Sequence, residues 1–131
     1  MRKTLHILGF LTASSLSLFS SGSTLAATLT LEVPDNPEPT TRTIAYQCDI
    51  GKSKERVEAT YLNADDISLV DFKWKGDRVI AANVIADTGK KYEGAQYIWW
   101  EVNNEVTLHN RVHDPEGKKL IHCKDETMLL F

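Results

Sequence analysis

Two clusters could do chemistry by residue type and spacing: histidines in the C-terminal third, and a short segment with a hydroxyl, a glycine, two cations and a phenol. His109 and His113 are four residues apart, and His122 adjoins Cys123. Spacing of four puts two metal ligands on one helix face, but here the pattern is a strand entering a turn, with no acidic third ligand at a useful spacing. These histidines are therefore expected to be exposed or structurally bonded, and no metal site is implied. The second cluster, Thr88-Gly89-Lys90-Lys91-Tyr92, has by composition alone the character of an ordinary surface loop.

Other candidates fall short of catalysis. Asp65-Asp66 sits in a turn, and Glu101 and Glu105 flank another. A glycosidase needs two carboxylates held across a cleft, and nothing in the linear order selects such a pair. No serine has a nucleophile-elbow context, and there is no glycine-rich phosphate loop. The residues thus point away from an enzyme and imply no cofactor. Trp99-Trp100 is a different case. Adjacent strand residues face opposite sides, so one ring enters the core and the other faces outward. The outward ring could cover the sheet, meet a partner or stack on a sugar.

The elements that must position these groups belong to an exported chain. Arg2 and Lys3 precede an apolar stretch, Leu5 to Phe19, and then Thr24-Leu25-Ala26. That is the layout of a secretory signal peptide, expected over residues 1–26. The stretch is interrupted by Thr12, Ser14, Ser15 and Ser17 and is shorter than the ~20 residues that span a bilayer. No cysteine lies near the cleavage region, so a soluble periplasmic protein without a lipid anchor is expected. Removing Arg2 and Lys3 leaves 13 basic against 18 acidic residues, a net charge of −5. Such an acidic domain suits a basic protein partner and is a poor nucleic-acid binder. Cys48 and Cys123 both lie in the mature part, and in an oxidising compartment they are expected to pair.

Residues 27–43 form an expected arm and linker, because Pro34, Pro37 and Pro39 cannot sit inside a sheet. Residues 44–131 form the domain. Ile44, Tyr46 and Cys48 alternate with polar or small neighbours, as do Val57, Ala59 and Tyr61, then Val106 and Leu108. Turn signals fall at Gly51-Lys52, Asp65-Asp66, Lys75-Gly76, Asn103-Asn104 and Asp114-Pro115-Glu116-Gly117. Strands at this spacing predict an all-β barrel or sandwich, with the disulfide joining first strand to last. Val79 to Asp87 carries a weak helical signal and is read as a possible short helix.

Several fragments, in order, resemble one family. Ile44-Ala45-Tyr46-Gln47-Cys48-Asp49, Val57 to Asn63, Ala86 to Tyr92, Tyr97 to Leu108 and Cys123 are similar to the membrane-bound and periplasmic inhibitors of C-type lysozyme (MliC/PliC). The resemblance implies a small antiparallel barrel of about eight strands, closed by one disulfide. It implies a partner, C-type lysozyme, whose cleft is plugged by a loop serine, assisted by a lysine from the hairpin after the aromatic strand. Thr88 stands at the serine position, with Gly89 and Tyr92 at the family's glycine and tyrosine. Lys90 and Lys91 lie between them. At the hairpin, the family's lysine-glycine is Val102-Asn103 here, and Val102 cannot pair with a carboxylate. The alternative function is a cell-envelope binding or adaptor protein on the same scaffold, with weak or no lysozyme inhibition.

Overall fold

Alternation of apolar and polar residues dictates the architecture. The computed structural model describes residues 27–35 and 38–130, so the expected signal peptide, residues 1–26, lies outside the described residues. The chain divides into a unit ending at Glu32 and a unit beginning at Val33. In the first, residues 27–32 are exposed and carry no regular structure. The second holds eight antiparallel strands: β1 (Thr40–Ile50), β2 (Ser53–Ala64), β3 (Ile67–Trp74), β4 (Asp77–Val84), β5 (Lys90–Gly94), β6 (Tyr97–Val102), β7 (Glu105–Asn110) and β8 (Ile121–Asp125). Each pairs with the next and β8 returns to β1, closing a barrel. A 3-10 turn, Glu126–Leu130, follows.

Inward positions at every second residue build the core. Trp99 is fully buried at its centre, with Tyr46 edge-on at 5.4 Å and Phe72 tilted against it at 4.6 Å. Its indole N–H donates to the Tyr61 hydroxyl at 2.9 Å, which shares a 2.9 Å hydrogen bond with Tyr46. Buried polar tips thus find partners, as a dry interior requires. Burial pushes the Tyr46 phenol up to about 12 and raises that of Tyr61 as well, so both stay protonated at neutral pH. Trp100, the neighbour of Trp99, faces outward and is half-buried.

Turn chemistry agrees with the sequence. Asn103 and Asn104 have φ of 50° and 64°, the left-handed pair that a two-residue hairpin of the right twist demands. Two sequence expectations are corrected. Val79–Asp87 is not a helix: β4 runs from Asp77 to Val84, with Val79 opposite Phe72 and Ala81 opposite Val70. The β-branched residues and the long-range partner outweigh a weak local signal. The first strand also starts before Ile44, because long β2 gives Thr40 to Thr43 partners from Asn63 to Thr60.

The barrel closes on a thin seam. β1 pairs with β2 from Thr40 to Ile50, but with β8 only from Tyr46 to Cys48. Cys48 and Cys123 are directly opposed there, Cα atoms 3.9 Å apart, and form the disulfide. The bond spans a sequence separation of 75, and closing such a loop in the unfolded chain is worth about 4 kcal/mol in the chain-entropy model. Above the seam, the start of β1 has no strand on its β8 side. That opening, the β2–β3 turn, the β4–β5 connection and the β6–β7 hairpin share one end of the barrel, the upper end. The other connections lie at the lower end.

Candidate functional site at the upper end of the barrel

The β4–β5 connection is held by its backbone and displays its side chains. Residues 87–90 are exposed, and Ile85 is completely so. The outward Trp100 donates its indole N–H to the Thr88 carbonyl at 2.9 Å. Gly89 has φ of 66°, and a Cβ there would collide with the Glu101 carbonyl oxygen and lie 2.8 Å from the Val102 side chain. Glycine is therefore required twice over, by its left-handed backbone and by its approach to β6. Two adjacent residues are thus fastened to the aromatic strand. The Thr88 hydroxyl, by contrast, has no hydrogen-bond partner among the described residues.

The segment Thr88-Gly89-Lys90-Lys91-Tyr92 divides into three roles. Thr88 and Gly89 form the tip. Lys90 opens β5 opposite Glu101 and faces the barrel mouth, while Lys91 turns the other way. Its ammonium lies 5.3 Å from the Trp100 ring centroid and 3.7 Å from Glu93. Tyr92 is buried, and its hydroxyl meets Ser68 at 3.0 Å. Ser68 in turn donates to Asn63 at 2.6 Å. Tyr92 therefore anchors the base of the tip from within the core.

Val102 and Asn103 stand beside this tip. Val102 ends β6, partly exposed, with its side chain toward Gly89, and Asn103 is the first turn residue of the hairpin. The barrel thus brings together two segments that the sequence keeps apart.

It also adds residues that sequence reasoning missed. Arg42, Asn63 and Glu101 join Lys90, Tyr61 and Tyr92 around a small pocket at the mouth. Extending the inward alternation upward finds three of these: from Tyr46 and Ile44 to Arg42, from Tyr92 to Lys90, and from Trp99 to Glu101. The histidines lie elsewhere. The His109 ring hydrogen-bonds to the Asp114 carbonyl, and His113 and His122 are exposed. Among the described residues no cluster of His, Cys, Asp and Glu could hold a metal ion. No described helix is long and apolar enough to cross a membrane.

Fold and site together define a class: small, closed, disulfide-pinned barrels that display a stiffened loop and a tight hairpin side by side at one end. The particular family follows from comparison with known proteins. Residues 46–116 match the model of the membrane-bound lysozyme-inhibitor of c-type lysozyme family, MliC, and the chain belongs to that family. A membrane-bound lysozyme inhibitor of C-type lysozyme from Pseudomonas aeruginosa is 31% identical over 96 residues, covering 72% of this chain and 73% of that protein. One from Cupriavidus necator is 33% identical over 72 residues, 55% of each chain. Among solved structures, Pseudomonas aeruginosa MliC in complex with hen egg white lysozyme aligns with a TM-score of 0.63 at 28% identity. That alignment covers 77% of this chain and 98% of the other.

Proposed function

We propose that this chain is an exported inhibitor of C-type lysozyme that plugs the enzyme's cleft with its upper end and so protects peptidoglycan. The observation that carries the reading is the Thr88–Gly89 tip beside Val102–Asn103, its backbone bonded to Trp100 and its hydroxyl without a hydrogen bond among the described residues. A hydroxyl both donates and accepts, so it can serve a protonated and an ionised carboxyl at once. A stiff tip loses little conformational entropy on insertion. Family membership and the solved complex of a relative with hen egg white lysozyme support the partner. The acidic mature chain steers toward a basic enzyme. The expected compartment is the periplasm, reached by the signal peptide and held without a lipid anchor.

Purified residues 27–131 added to lysozyme at low salt should abolish lysis of peptidoglycan near equimolar ratio, with weaker inhibition as salt rises. Full lysozyme activity at micromolar excess of the protein overturns the proposal. Val102, in place of the hairpin lysine, favours a second reading, an envelope adaptor. That reading requires an endogenous partner recovered from periplasm by a protein with no lysozyme affinity.

A further inference from the structure

The mouth of the barrel holds charged side chains that form no ion pair among the described residues. Arg42 and Lys90 are exposed, Glu101 is half-buried, and all three line one pocket with the Tyr61 and Tyr92 rings and Asn63. Among the described residues none of the three has an ion pair within 4.0 Å. Lys91, one residue along the same strand, by contrast has both Glu93 and the Trp100 ring. The charged residues lining this pocket, Arg42, Lys90 and Glu101, therefore sum to one net positive charge. Lys90 is two residues from Thr88, and Arg42 enters from β1, at a part of that strand with which β8 does not pair. Arg42 also lies outside the stretch that matches the family model.

Resting on the inhibitor reading, we propose that this mouth is a carboxylate-recognition site, in which Arg42 and Lys90 take an acidic side chain of the bound protein while Thr88 enters the cleft. The planar guanidinium offers a fork that fits a carboxylate, and Lys90 adds a mobile point charge. Glu101 limits the site to one acidic group by leaving a single net positive charge. The pair supplies from β1 and β5 the cation that Val102 cannot supply from the hairpin.

The test measures lysozyme affinity for the parent, Arg42→Gln, Lys90→Gln, the double variant, and Lys73→Gln on β3 as a charge-matched control away from the mouth. Folding of each variant is checked by near-ultraviolet circular dichroism. Each mouth substitution should weaken binding about tenfold, the size of a lost charge-assisted contact, and the control should not. In parallel, glutarate titrated into isotope-labelled parent should give saturable shifts at Arg42 and Lys90. Undiminished lysozyme binding by the double variant overturns the proposal and leaves the inhibitor reading standing. A parent that fails to bind lysozyme overturns the inhibitor reading. In that case the glutarate shifts decide the site: their presence keeps a carboxylate site with another partner, and their absence removes it.

Discussion

At the lower end, the long β7–β8 connection keeps its polar groups to itself. The Asp114 carboxylate accepts the backbone N–H groups of Lys118 at 2.9 Å and Lys119 at 2.8 Å. The Asn110 side-chain oxygen accepts those of Val112 and His113, each at 3.1 Å, and the Gln96 amide at 3.0 Å. At the upper end the tip is fastened through its backbone to Trp100 and through Tyr92 at its base, and the outermost side chains are left over. Thr88 is held through its carbonyl and Gly89 through its lack of a Cβ, while the Thr88 hydroxyl and the Arg42 and Lys90 side chains make no hydrogen bond or ion pair among the described residues. Both ends are ordered, but by different means. A loop that satisfies itself with its own side chains has little left to offer, whereas one pinned through its main chain keeps its side chains for a partner.

The strongest way to break the contrast is to loosen both ends together. Replacing Cys48 and Cys123 by serine should cost about 4 kcal/mol of stability, read as a lower denaturant midpoint, because the thin β1–β8 seam loses its pin. If inhibition survives where the protein remains folded, the disulfide serves stability and not recognition.

Gly89→Ala separates tip from scaffold. The added methyl must displace β6 backbone or the tip itself, and the strained φ adds about 1–3 kcal/mol. Inhibition should fall by more than tenfold, with a smaller loss of thermal stability. Equal inhibition by Gly89→Ala would show that the tip need not keep this geometry.

Thr88→Ala and Val102→Lys change side chains at the upper end without touching its backbone fastening. Thr88 makes no side-chain hydrogen bond among the described residues, so its removal should leave the Tm unchanged while weakening inhibition about tenfold. Val102→Lys should strengthen inhibition by a comparable factor, read in the same lysis assay.

Asp114→Ala is the mirror experiment and the smallest effect, a modest fall in Tm with unchanged inhibition. The backbone N–H groups of Lys119 and Lys118 hold the Asp114 carboxyl below its ordinary value. A depressed carboxyl contributes stability above its unfolded pKa and loses it as pH falls through the lowered one. Acidification should therefore free the Lys118 and Lys119 amides to exchange before the barrel strands open.

Much of this was legible in the sequence. Alternation at Ile44–Cys48, Val57–Tyr61 and Val106–Leu108 marked the barrel strands, and Asn103-Asn104 marked its hairpin. The split between buried Trp99 and outward Trp100 followed from strand geometry. What escaped depended on tertiary context. β5 is short, and Tyr92 is its single buried residue, so charged neighbours disguised it as a loop. β4 was obscured because its strand character comes from pairing with β3. Arg42 and Glu101 continue the inward alternation of their strands, but nothing local marks them as neighbours: they are far apart in the chain and line one pocket only because the barrel closes.

The upper end, and not the lower, is the face proposed to meet lysozyme. Amide hydrogen exchange of the protein with and without saturating lysozyme tests it directly. New protection is expected at residues 87–91 and 102–104, with residues 111–120 unchanged. Protection confined to residues 111–120, with 87–91 exchanging as in the free protein, would contradict it.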